Sequence, residues 1–258
     1  MKPLNIRGVS FGEGIPKICV PITGTTQKEI ETQAARIRET PAQAVEWRAD
    51  WFYDILDPSG NPNIEVVTKI LKNLRDILGE MVLLFTFRTA KEGGEKAIRP
   101  ESYRCLNLAA AKSGFADLID IELLTEKKLC QTLVEEIHQL GMKVIVSNHD
   151  FKKTPDCETL VKRLSYMEAL GADMAKIAVM PQSSKDVLVL LSAAEEFSGI
   201  SKCPGIAMSM AGLGTASRIL GEFFHSAMTF GAVGRASAPG QLDVNELYTI
   251  LNLLHQNL

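Results

Sequence analysis

Short apolar runs recur along this chain at regular intervals, separated by longer stretches in which apolar residues return every three or four positions. The runs predict eight strands, over residues 17–23, 44–48, 81–88, 117–122, 142–148, 173–179, 205–210 and 227–233. The intervening periodicity predicts helices over 26–39, 64–78, 126–140, 157–170 and 184–197, with a last one over 243–254. Thr25/Thr26 before Glu29, Thr154-Pro155 before acidic residues, and Ser183/Ser184 before Asp186 read as helix starts. Gly141, Gly171 and Gly199 read as helix ends. Strict strand–helix alternation implies a parallel sheet. Eight repeats in a chain of 258 residues fit an α/β fold of the (β/α)8 TIM-barrel type. A doubly wound open sheet is the alternative, but it usually has fewer strands and a glycine-rich first turn. Residues 4–11, ahead of the first strand, are expected to form a β-hairpin closing the lower end. With no linker or low-complexity tract in view, residues 1–258 are expected to be one domain.

Composition narrows the function classes. A net charge of −3 gives no basic excess for nucleic acid. No apolar stretch is long enough to span a bilayer, and Met1 to Arg7 lacks the apolar core of a signal peptide. Cys19, Cys105, Cys130, Cys157 and Cys203 are scattered and odd in number. They suit reduced thiols in a cytoplasmic protein better than disulfides or a zinc site. Gly212-Leu213-Gly214-Thr215-Ala216-Ser217 lacks the third glycine of a dinucleotide fingerprint and is rejected as a nucleotide site.

Lys176 interrupts the apolar run 173–179. Desolvation favours a neutral, nucleophilic amine, which makes Lys176 a candidate for Schiff-base chemistry on a carbonyl. The alternative is a strand-end lysine with a buried stem and a wet head. Residues two apart share a face of a strand. Glu46 and Arg48, Thr86 and Arg88, Asp120 and Glu122, Ser147 and His149 therefore pair up near the C-terminal ends of successive strands. Met208 and Met210 do the same on strand seven. Barrel active sites are built at that end. Structural ion pairs explain any one pair, but less well the whole set. His149 could act as acid or base near neutral pH, with an acidic partner such as Glu46 fixing its tautomer. His138, His225 and His255 lack such a context. Arg218, early in the helix after strand seven, could clamp a carboxylate. The loop Ser237-Ala238-Pro239-Gly240-Gln241 could bind anions or act as a lid, and Glu92-Gly93-Gly94-Glu95 is a second rim loop.

Taken in order, several motifs make the chain resemble the type I 3-dehydroquinate dehydratases. They are Glu46-Trp47-Arg48-Ala49-Asp50, Leu84-Phe85-Thr86-Phe87-Arg88 with Glu92-Gly93-Gly94-Glu95, Ser147-Asn148-His149-Asp150-Phe151 and Lys176-Ile177-Ala178-Val179-Met180-Pro181-Gln182. Met208-Ser209-Met210, Ser217-Arg218 and Ser237-Ala238-Pro239-Gly240-Gln241 continue the series. The resemblance implies a homodimeric barrel that needs no metal or organic cofactor and takes 3-dehydroquinate as its small-molecule substrate. It implies an imine between Lys176 and the C3 ketone, with His149 as acid and base, and Glu46 as its orienting partner. Arg218, Ser237 and Gln241 would hold the carboxylate and nearby oxygens, and Arg48 and Arg88 the ring hydroxyls. Met208 and Met210 would pack on the ring, with Glu92 bracing the rim. Pro21 departs from the pattern, because many members carry a serine there and proline offers neither hydroxyl nor N–H. Another Schiff-base barrel such as an aldolase, or a barrel that binds without turnover, are the competing readings.

Overall fold

The computed structural model describes residues 2–123, 127–234 and 240–258. Its core is a parallel sheet in which each strand's inner face and outer face bury different material. β3 (Lys17–Ile22), β4 (Ala44–Arg48), β5 (Val82–Thr86), β6 (Leu118–Glu122), β7 (Lys143–Asp150), β8 (Met174–Val179) and β9 (Gly205–Ser209) pair in sequence order. β10 (Met228–Ala232) pairs with β3 on the other side. The ring closes between β9 and β10 through one parallel bridge, Gly205 to Ser226, supported by a 2.8 Å bond from the Ala227 N–H to the Gly205 carbonyl. A short strand, β11 (Leu242–Asp243), adds to β10. This is the TIM-barrel fold expected from the alternation.

Helices α1 (Gln27–Arg38), α2 (Ile64–Leu78), α3 (Pro100–Lys112), α4 (Lys127–Gln139), α5 (Cys157–Ala169), α6 (Ser184–Ile200), α7 (Thr215–Ile219) and α8 (Val244–His255) lie between the strands. Outward residues such as Val45, Trp47, Leu83, Phe85, Ile119, Val146 and Ile177 pack on Ile30, Leu71, Leu106, Leu133 and Leu164 of these helices. Inward residues form a second cluster, with Ala44, Val82, Leu84, Leu118, Ile145, Met174 and Met228 around the barrel axis.

The lower end is sealed as expected. β1 (Leu4–Ile6) and β2 (Val9–Phe11) form an antiparallel hairpin. Its turn residues Arg7 and Gly8 both have positive φ, 48° and 76°, as a type I′ turn requires. Phe11 and Ile6 join the inner cluster. Arg7 ties the turn to the barrel through Asp117 at 2.6 Å, and Arg75 grips the other oxygen of Asp117 at 2.6 Å.

Two local expectations need correction. Gly199 does not end α6, which runs on to Ile200 and is closed by Ser201, whose N–H donates to the Phe197 carbonyl. Gly199 lies inside the helix and does not adopt the left-handed φ that Gly141 and Gly171 take at their helix ends. Asp156, not Thr154, caps α5, accepting from the Thr159 N–H at 2.8 Å. α3, over Pro100–Lys112, is a further helix beyond those read from periodicity. Glu126, at the start of the helix predicted over 126–140, lies outside the described residues.

Candidate active site

Along the inner face, several barrel strands change character from the N-terminal to the C-terminal end, whereas β9 and β10 stay apolar with Ile206, Met208, Met228 and Phe230. On β4 the inward order is Ala44, Glu46, Arg48; on β6 it is Leu118, Asp120, Glu122; on β7 it is Ile145, Ser147, His149. The apolar layers fill the barrel, and the polar layers surround a cavity of about 200 Å³ at its mouth. Glu46, Arg48, Arg88, Glu92, His149, Lys176, Met208, Met210, Arg218 and Gln241 all line this cavity. Of the residues selected from sequence, only Ser237 cannot be placed, because it lies outside the described residues.

Lys176 sits on β8 and is only 3% exposed. Its Nζ lies 3.6 Å from Glu46 Oε1, 3.8 Å from Asp120 Oδ2 and 4.4 Å from the centre of the Phe230 ring. Thr86 donates its hydroxyl to Glu46 Oε1 at 2.9 Å. The buried-lysine reading therefore stands over that of a strand-end lysine with its head in water.

Glu46 is not the partner of His149. That place belongs to Glu92, whose Oε2 lies 3.0 Å from His149 Nδ1 and accepts the His149 backbone N–H at 2.9 Å. Asn148 Nδ2 donates to Glu92 Oε1 at 3.2 Å. The physical reason lies in the loop after β5. Glu92 ends a single 3-10 turn, Ala90–Glu92, and Gly93 then takes a left-handed φ of 81°. A side chain on Gly94 would strike the Arg88 carbonyl, so the loop folds back tightly and turns Glu92 inward. Glu92 is 3% exposed and does more than brace the rim.

Burial, reinforced by Arg88, Lys176 and Arg48, holds His149 well below the usual histidine range, so its resting form is neutral. Burial pushes the Glu92 carboxyl up to about 7, against the pull of Arg88 and with a push from Glu122. When Glu92 is ionised it accepts Nδ1–H, which leaves His149 Nε2 as the basic nitrogen.

The arginines differ in their freedom. Arg88 donates through NH2 to Asp120 at 2.7 Å and through NH1 to Glu122 and Ser147, both at 3.0 Å. Burial alone would depress it, but Asp120, Glu122 and Glu92 hold it well above the usual arginine value. These contacts make Arg88 an organiser of carboxylates at the cavity wall. Arg48 is held in a two-pronged contact by Asp50, with both bonds at 2.8 Å. Asp50 is fully buried and also accepts the backbone N–H groups of Arg88 and Glu95. Burial lowers Arg218 to about 10. No cluster of three or more His, Cys, Asp or Glu suited to a metal ion occurs among the described residues.

Sequence reading missed Phe230 and the role of Asp50. Strand alternation carries a signal for Phe230, two residues after the inward Met228. The Arg48-x-Asp50 spacing was visible, but not that the chain bends into a 3-10 turn there.

Fold and cavity together define a (β/α)8 protein that presents a buried amine and a neutral imidazole to one pocket. The profile of the type I 3-dehydroquinase family matches residues 18–258. A 3-dehydroquinate dehydratase of Listeria monocytogenes is 49% identical over 256 residues, covering 99% of each chain. The Clostridium difficile type I 3-dehydroquinate dehydratase, solved with covalently modified comenic acid, is 45% identical with a TM-score of 0.95 over 100% of both chains. The Geobacillus kaustophilus 3-dehydroquinate dehydratase is 36% identical with a TM-score of 0.94, covering 99% of this chain and 97% of its own. The chain belongs to the type I 3-dehydroquinase family.

Proposed function

We propose that this protein dehydrates 3-dehydroquinate to 3-dehydroshikimate, a hydro-lyase step of the shikimate pathway, through an imine on Lys176. The observation that carries the reading is the shared cavity, in which a nearly inaccessible lysine on β8 lies beside a neutral histidine on the adjacent β7. That one relative was solved with covalently modified comenic acid supports the covalent reading.

Elimination β to a ketone needs an acidic α-proton, and a protonated imine withdraws electrons more strongly than the ketone does. The Lys176 amine adds to C3 and water leaves, forming the iminium. His149 Nε2 then takes a proton from C2, giving an enamine. As the enamine pushes electrons toward C1, the C1 hydroxyl leaves as water with the proton returned by His149. Hydrolysis of the conjugated imine frees the product and Lys176. Glu92 keeps Nδ1 protonated so that Nε2 carries both transfers. Arg218, with Gln241 and Ser237, receives the substrate carboxylate; Arg48, fixed by Asp50, faces ring oxygens; Met208 and Met210 give the ring an apolar wall. Glu46 acts on Lys176 rather than on His149. The reading includes a single catalytic domain, a homodimer and a cytoplasmic location, the homodimer being checked by sedimentation.

The test is conversion of 3-dehydroquinate by the purified protein. The reading expects stoichiometric 3-dehydroshikimate and water from the wild type, and loss of conversion by at least about 10⁴-fold in Lys176→Ala. Carbon–carbon cleavage in place of dehydration would move the chain to an aldolase-type activity. Full dehydration by Lys176→Ala would rule out the imine.

A further inference from the structure

Two carboxylates flank the Lys176 nitrogen, and they are held in different ways. Glu46 takes one hydroxyl, from Thr86, on the oxygen that also faces Nζ. Asp120 is fully buried on β6 and divides its two oxygens. Oδ1 accepts Arg88 NH2 and the Ser147 hydroxyl, both at 2.7 Å, and Arg88 NH1 donates in turn to Ser147 Oγ at 3.0 Å. Oδ2 has no hydrogen-bond partner, yet lies 3.8 Å from Lys176 Nζ. A buried carboxylate oxygen left without a donor is costly unless a nearby charge compensates it. Lys176 is the cation within reach.

We propose that Asp120 is a positioning residue for the Schiff-base nitrogen: Arg88 and Ser147 lock its carboxylate so that Oδ2 holds positive charge on that nitrogen before and after imine formation. The inference rests on the imine reading above. In that reaction the amine adds to the ketone carbon and passes a proton to the oxygen. The carbinolamine takes up one further proton and loses water. The iminium nitrogen that remains carries one hydrogen and one positive charge. Asp120 forms no bond to substrate. A fixed anion stabilises the charged states of the nitrogen with no rearrangement during the step. The other groups around Lys176 are Glu46 and Arg48 from β4, Cys19 from β3, Arg88 and Glu92 after β5, His149 from β7, Arg218, and the Phe230 ring from β10.

The experiment compares wild type, Asp120→Asn and Ser147→Ala by borohydride trapping with 3-dehydroquinate across pH, alongside steady-state kinetics. Asp120→Asn keeps an oxygen for Arg88 and Ser147 but removes the charge facing Nζ. The expected result is that the variant still traps, and that its half-maximal trapping pH falls by about one unit. Its kcat should drop on the order of 100-fold while KM changes by less than about threefold. Ser147→Ala loosens Oδ1 without altering any charge, and should lose kcat by about tenfold with KM held. A trapping profile and kcat for Asp120→Asn within twofold of wild type overturn the proposal while leaving the imine reading intact. Absence of trapping in the wild type would overturn the imine reading itself, and the proposal with it. Should Asp120→Asn fail to fold, Ser147→Ala decides, and an unchanged kcat there overturns the proposal.

Discussion

At the floor of the barrel the inward residues are Ala44, Val82, Leu118, Ile145 and Met174, closed over by Phe11 and Ile6 of the hairpin. A few residues further along the same strands the inward positions are Glu46, Thr86, Glu122, Ser147 and Lys176, almost as deeply buried but charged or polar. Both ends obey the same alternation of inside and outside. They differ in what burial does. At the floor, removing apolar area from water stabilises the fold directly. At the mouth, burial disfavours charge, and the network Arg88–Asp120–Glu122–Ser147 and the pair Arg48–Asp50 offset that cost. The mouth gives up stability in return for a neutral histidine and a fixed lysine.

Substitutions at the two ends should separate these two effects of burial. His149→Ala should lower kcat on the order of 1000-fold while a borohydride-trapped adduct still forms. Adduct formation and turnover are measured on the same preparation, and normal turnover would remove His149 from its role. Glu92→Gln should lower kcat on the order of 100-fold, because the amide can donate to Nδ1 and favour the wrong tautomer.

The pH dependence of Glu92 has a definite sign. Its carboxyl is raised from 4.5 to about 7. Activity in the wild type should therefore climb as pH rises through about 7, where ionised Glu92 fixes Nδ1–H. The same ionisation opposes folding: stability present below pH 4.5 is lost as pH rises through about 7. Glu92→Gln should therefore melt higher than wild type at pH 8, and the difference should shrink toward pH 5; thermal melts at the two pH values check it. At the floor, Phe11→Ala should cost about 3–5 kcal/mol of stability and leave kcat within twofold. A large loss of kcat in that variant would mean that the two ends are not separable.

The fold was legible because period-2 alternation and glycine or proline boundaries mark each strand; β8 was expected at 173–179 and runs Met174–Val179. Lys176, His149 and Arg48 were legible for the same reason, since strand position fixes which face a side chain occupies; Arg88, expected within a strand over 81–88, lies two residues beyond the end of β5 at Thr86 and still reaches the cavity. Glu92 was not, because its reach depends on the tight turn at Gly93 and Gly94, and alternation says nothing about loops. Glu46 was given the histidine because both sit at strand ends. In the barrel it faces Lys176 instead, and the carboxylate nearest the imidazole comes from the loop after β5. Gly199 shows the opposite error, a glycine read as a stop where the helix simply continues.

Everything at the barrel mouth turns on Lys176 carrying the substrate covalently. The most direct test is to incubate the protein with 3-dehydroquinate, reduce with borohydride, digest, and locate the added mass. A single reduced adduct on the peptide containing Lys176 is the expected result. An unmodified Lys176 peptide, from protein that turns over substrate and beside a control dehydratase that labels, would contradict it.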